Sequence, residues 1–136
     1  MDFLRPYASQ ILSVLRIFVG LLLLQYGLAK IFGMFGVPMF ANVPLFSLIW
    51  FAGALELVGG TLLVLGLFTR FAAFILSGEM AFAYFIGHFP KGFLPIVNGG
   101  GYAIVLCFAC LYLAAAGARS LTRFAVCCKS MPLAGR

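Results

Sequence analysis

Acidic side chains are nearly missing from this chain, with Asp2, Glu56 and Glu79 the only three among 136 residues. All charged residues together make up 9%, where an ordinary soluble domain carries about 25%. A surface wetted on every side cannot be built from so few, which excludes a soluble globular protein. Histidine occurs once, as His88, so a multi-histidine haem or zinc centre is excluded and only a single axial ligand stays open. No metal site is expected. What the chain has instead is apolar: 65% hydrophobic residues, 16 Phe and a mean hydropathy of +1.17. A bilayer is the solvent that suits this composition. Each helical span takes about 20 residues, so the length admits four or five spans in a single membrane domain over 1–136 and no second, soluble domain.

The formal net charge of +6 does not point to nucleic acid, because the nine Lys and Arg are scattered rather than gathered on a basic face. Apolar windows between polar or Pro/Gly breaks predict spans over 11–32, 47–68, 71–88 and 101–118. These runs lack the period of two of barrel strands, and in hydrocarbon each backbone amide must find its partner within its own segment. The expected fold class is therefore all-α, a polytopic bundle of four transmembrane helices. Arg5 precedes the first stretch, Arg16 interrupts it and no small-residue cleavage site follows, so it reads as a retained span rather than a signal peptide. With a cytoplasmic N-terminus, Arg5, Arg16, Arg70, Arg119, Arg123, Lys129 and Arg136 lie inside, and Lys30 and Lys91 outside. The positive-inside rule favours that orientation, with both termini cytoplasmic and a short cytoplasmic tail over 119–136.

Charges at a helix centre cost about 2.5–3.5 kcal/mol each on insertion scales, which makes Arg16, Glu56 and Glu79 the informative residues. At 1.5 Å per residue, Arg16 lies about 8 Å above the inner boundary and Glu79 about 14 Å above Arg70, so the two are expected to form a structural ion pair. Glu56, about 20 Å from the inner end of its helix, falls in the outer half with Tyr26, Lys30 and His88. Helical phase puts Arg16, Gly20, Leu23, Gly27 and Lys30 on one stripe of the first helix, with Gln25 pointing away. Ala52, Glu56 and Gly60 share a small-residue face of the second, flanked by Gly53 and Gly59. In the third, Tyr84 and His88 share a face and Glu79 lies nearly opposite. Such glycine stripes serve either packing within the chain or formation of a homo-oligomer.

Titratable groups clustered near one membrane face suit a quinone or proton-coupled site, since a quinone carbonyl needs hydrogen-bond donors and proton carriers. Tyr26, Lys30, Glu56 and His88 can fill those roles. The competing reading is a buried Glu beside a cation that only holds helices together. Cys107 and Cys110 have the C-x-x-C spacing of a disulfide oxidase, but a small hydrophobe inside an apolar helix explains them as well. Cys127-Cys128 belongs to the expected tail, where thiols stay reduced. Asn98-Gly99-Gly100-Gly101 reads either as a flexible helix start or as a nest of amides for an anion.

Over 15–121 the chain resembles the DoxX family of small bacterial inner-membrane proteins. The resemblance rests on "LRIFVGLLLLQYGLAKIFG", "AGALELVGGTLLVLGLFTR", "GEMAFAYFIGHFPKGFLPIVNGG" and "YLAAAGARSL". It implies a four-helix membrane bundle in which Arg16, Lys30, Glu56, Gly59, Gly60, Arg70, Glu79, His88 and Asn98 occupy motif positions. Tyr26 stands where many relatives have His, and Gly101 where they carry an acid. The family name comes from a subunit of a thiosulfate:quinone oxidoreductase, and other members are linked to membrane redox complexes. The resemblance thus implies a quinone-interacting subunit or accessory of a membrane oxidoreductase, in the bacterial inner membrane. Tyr26, Lys30, Glu56, His88 and Asn98 are the candidate ligand-binding residues, quinone the candidate cofactor, and the bilayer and oxidoreductase subunits the expected partners. A non-catalytic assembly partner and a small transporter are the alternatives.

Overall fold

The structure is a computed structural model and describes residues 6–40 and 42–117. It is all-α: among the described residues there is no strand. Helix α1, Ala8–Phe32, runs until Gly33 turns left-handed at φ 62° and returns its N–H to the Ala29 carbonyl. Two 3₁₀ turns, Met34–Gly36 and Pro38–Phe40, cross to Ser47, whose hydroxyl accepts from the Trp50 N–H at 3.2 Å and caps α2, Leu48–Leu65. Gly66, at φ 75°, ends α2 three residues short of the expected boundary. Helix α3, Thr69–Ala83, follows a turn of only residues 66–68. Its helical path continues through a π turn at Tyr84–His88 and a 3₁₀ turn at Phe89–Lys91. The short α4, Pro95–Asn98, then leads into α5, Gly101–Ala116.

Contacts between named residues set the directions. Gly20 meets Gly60 and Gly27 meets Gly53, so α1 and α2 are antiparallel. Arg70 reaches Ala114 and Ser77 reaches Cys107, so α3 and α5 are antiparallel too. The bundle is two hairpins, α1–α2 and α3–α5, each extensively packed within itself; α2 touches α3 less, and α1 meets α5 only sparsely. Lipid tails are as apolar as Leu, so close van der Waals contact rather than escape from water holds such helices together. The buried cluster unites Val19, Leu23, Leu63, Ala73, Leu76, Met80, Leu106, Cys110 and Leu113. Phe18, Phe71, Phe74, Phe82 and Phe108 point outward, as lipid-facing bulk should.

Ala8–Phe32, Leu48–Leu65 and Thr69–Lys91 are long and apolar enough to cross a membrane, while Gly101–Ala116 is apolar but shorter. The last residue of the fourth expected span, Arg5, and the tail with Arg119, Arg123, Cys127, Cys128, Lys129 and Arg136 lie outside the described residues.

Candidate functional site

The glycines of the first hairpin bring two backbones into contact. A Cβ on Gly60 would stand 2.8 Å from the Gly20 carbonyl oxygen, and one on Gly27 would stand 2.8 Å from that of Gly53. At the outer end of the same seam, a Cβ on Gly53 would lie 2.7 Å from the Lys30 Cβ, so the bare glycine makes room for the lysine stem. Lys30 Nζ then donates to Glu56 Oε1 at 2.7 Å, a charge-assisted bond that ties α1 to α2. Its other face lies 5.8 Å from the ring centroid of Phe40, a cation–π contact from the loop above. Glu56 is 1% exposed, and its second oxygen, Oε2, has no hydrogen-bond partner.

Two further side chains feel this pair. Tyr26, one turn below Lys30 on α1, lies within electrostatic range of Glu56 and of Tyr102 on α5. Glu79 on α3 lies within electrostatic range of Glu56 and Lys30, and neither of its buried oxygens has a partner.

The expected Arg16–Glu79 ion pair is therefore corrected. Arg16 is buried with its guanidinium against Gly66, where a Cβ would stand 2.6 Å from a terminal nitrogen, and its Nε is unpartnered. The reason is depth. The antiparallel seam carries α1 one turn below the Gly20–Gly60 contact to the carbonyl end of α2, whose partial negative charge suits a cation. Glu79 stands about 15 Å up its own helix from Thr69 at 1.5 Å per residue.

His88 and Asn98 meet each other rather than the Lys30–Glu56 pair. His88 Nδ1 is 3.0 Å from the Asn98 carbonyl oxygen, and no hydrogen bond or ion pair joins it to Tyr26, Lys30 or Glu56. Asn98 is buried; its amide nitrogen donates to the Gly92 carbonyl at 2.8 Å and its side-chain oxygen accepts from the Gly100 N–H at 2.7 Å. The Tyr84 ring lies where a Cβ on Gly100 would be. The Asn-Gly-Gly segment is thus a closed loop rather than an open amide nest. Cys107 and Cys110 are unbridged, Cys110 is fully buried, and the Ser77 hydroxyl donates to the Cys107 carbonyl at 2.9 Å.

Below that loop an open, apolar cavity of about 370 Å³ is lined by Gly99, Gly101, Tyr102 and Val105. A Cβ on Gly101 would meet nothing within 4 Å, so the missing side chain leaves space there. Sequence reasoning did not single out Tyr102 or Phe40, because nothing in composition or spacing separates them from aromatics that anchor at an interface.

Comparison with known proteins bears on this geometry. The DoxX family model matches residues 11–89, the stretch that carries Arg16, Lys30, Glu56, Glu79 and His88. The chain belongs to the DoxX family. A relative, an uncharacterized protein of Haemophilus influenzae, is 43% identical over 123 residues, 87% of this chain and 91% of that one. No solved structure matches. The DoxX match ends before the Asn98 loop and the cavity beside Gly101.

Proposed function

We propose that this DoxX protein binds a lipid-soluble quinone beside the Lys30–Glu56 pair and serves as a subunit or accessory of a membrane oxidoreductase. The observation that carries the reading is Glu56: a side chain inside a membrane helix, with one oxygen held by Lys30 and the other buried and unpartnered. A buried polar atom without a partner asks for one, and a ligand hydroxyl can supply it. Lys30 and Tyr26 are donors suited to a quinone carbonyl, and Glu56 can hold a proton. The cavity of about 370 Å³ is at the lower end of ligand-site volumes and its apolar lining suits a prenyl tail. A bound quinone would accept electrons and protons; the chain's own residues orient it and keep water away. The distribution of Lys and Arg supports an inner-membrane setting with cytoplasmic termini.

The test is organic extraction and chromatography of protein purified in mild detergent, with Glu56→Gln and an unrelated membrane protein beside it. Near-stoichiometric quinone in the wild type, lost in the variant, is the expected result. Quinone at the control's background in both would overturn the reading. The second reading, a non-catalytic assembly partner, draws on the Lys30–Glu56 bond as a staple between α1 and α2. Under it Glu56→Gln lowers the amount of folded protein or complex and there is no ligand to lose.

A further inference from the structure

Glu79 is half-buried with its carboxyl group enclosed, and the ligand site does not use it. Both of its oxygens are enclosed and neither accepts a hydrogen bond. A charged carboxylate in that condition is among the costliest groups a membrane interior can hold, and such groups neutralise by keeping a proton. Its surroundings are few. Gly59 of α2 packs on Leu76 of α3, which puts Glu56 and Glu79, three residues further along each helix in the same direction, at one depth; Lys30 of α1 and Cys110 of α5 lie within electrostatic range. On its own helix no other acid or base lies within a turn, since residues 75–83 read ILSGEMAFA. The other buried cation, Arg16, is committed to the end of α2 at Gly66.

Two carboxyl groups thus share one cation. The set is electroneutral when exactly one of the two acids is ionised, and the 2.7 Å bond from Lys30 assigns that charge to Glu56. We propose that Glu79 is a resident proton donor inside the membrane, holding its proton in hydrocarbon and exchanging it with the free Oε2 of Glu56. The transfer breaks the O–H bond on Glu79 and forms one on Glu56. The negative charge moves from α2 to α3, stays in the field of Lys30, and no net charge is created. Three carboxylate oxygens, Glu56 Oε2 and both of Glu79, are buried without protein partners, so no hydrogen bond holds any of them back from giving or taking the proton. As a proton supply to a ligand, this role rests on the reading in the preceding subsection; as an exchange between two acids it stands alone.

Infrared spectroscopy of the detergent-purified protein, labelled with ¹³C at the glutamate carboxyls, reads the proton directly. The wild type should show the carbonyl stretch of a protonated carboxylic acid at neutral pH, shifted by the label, which separates it from Asp2 and the C-terminus. Glu79→Gln should abolish the band. Glu56→Gln should abolish it as well, because Glu79 then becomes the sole counter-charge to Lys30 and ionises. The double variant Lys30→Met, Glu56→Gln should restore it. No labelled band in the wild type, or a band surviving in Glu79→Gln, overturns the assignment; a band that persists in Glu56→Gln, or stays absent in the double variant, overturns the exchange. Should Glu79→Gln misfold, Glu79→Asp keeps a carboxyl in place and should move the band to its unlabelled position, while a labelled band that stays overturns the assignment; exchange is then read from whether Lys30→Met shifts the band. Quinone content does not enter the readout, so quinone-free protein with the full pattern would sink the ligand reading and keep this one.

Discussion

The two hairpins of the bundle are closed by different means. In α1–α2 the backbones themselves touch, through Gly20 on Gly60 and Gly27 on Gly53. In α3–α5 side chains interdigitate, Ala73, Leu76 and Met80 against Leu106, Cys110 and Leu113, with Ser77 to Cys107 and Arg70 to Ala114 as polar contacts between them. The first arrangement seals a seam tightly enough to enclose an ion pair; the second makes an apolar wall that leaves its one acid, Glu79, facing the other hairpin. Chemistry gathers where small residues let helices approach, because in lipid such contact replaces what water expulsion does elsewhere. In one respect the hairpins agree. Each lays an arginine of its first helix against the end of its second, Arg16 at Gly66 and Arg70 Nε on the Ala114 carbonyl at 3.1 Å.

The largest expected effect comes from breaking the glycine seam. Gly60→Leu should destabilise by about 3 kcal/mol or more, since the new side chain would strike the backbone of α1 at Gly20 and Leu24 and the whole hairpin must part. Gly78→Leu, at a position where a Cβ meets nothing within 4 Å, is the matched change in the second hairpin and should leave stability nearly unchanged. Unfolding in mixed detergent micelles compares the two, and equal losses would erase the contrast drawn between the hairpins. Next, Lys30→Met should cost about 3 kcal/mol by stranding the buried Glu56, while adding Glu56→Gln should recover most of it. A double variant no better than the single would mean that the pair is not the staple. The smallest effect falls in the second hairpin: Ser77→Ala removes one hydrogen bond and should cost about 1 kcal/mol. A loss as large as that of Lys30→Met would show that α3–α5 also depends on a polar lock.

Much of the seam is legible from residue spacing. Gly20, Leu23 and Gly27 fall on one buried stripe of α1, Gly53, Glu56 and Gly60 on the facing side of α2, and Gln25 is exposed, as 100° per residue requires. What periodicity cannot supply is the relative depth of two helices. Arg16 and Glu79 look like partners when each is measured from an assumed membrane edge, whereas the Gly20–Gly60 contact sets the register that sends Arg16 to Gly66. Phase is right for His88 and Tyr84, which both reach the Asn98–Gly100 loop, but it cannot say which element their shared face meets. Asn98 carries the right chemistry for a ligand, but its partners Gly92 and Gly100 are close in sequence, and local closure wins.

That π turn can be seen as an insertion recorded in the backbone, one residue more than a turn of α-helix can hold. Rewinding the same residues as α-helix, with none removed, would turn all that follows by the better part of a right angle around the axis. His88 would leave the Asn98 carbonyl, and the chain would arrive at Gly101 on a different bearing. The winding of this helix is therefore a coordinate of the molecule in its own right: it decides on which side of the bundle the loop over the cavity comes down.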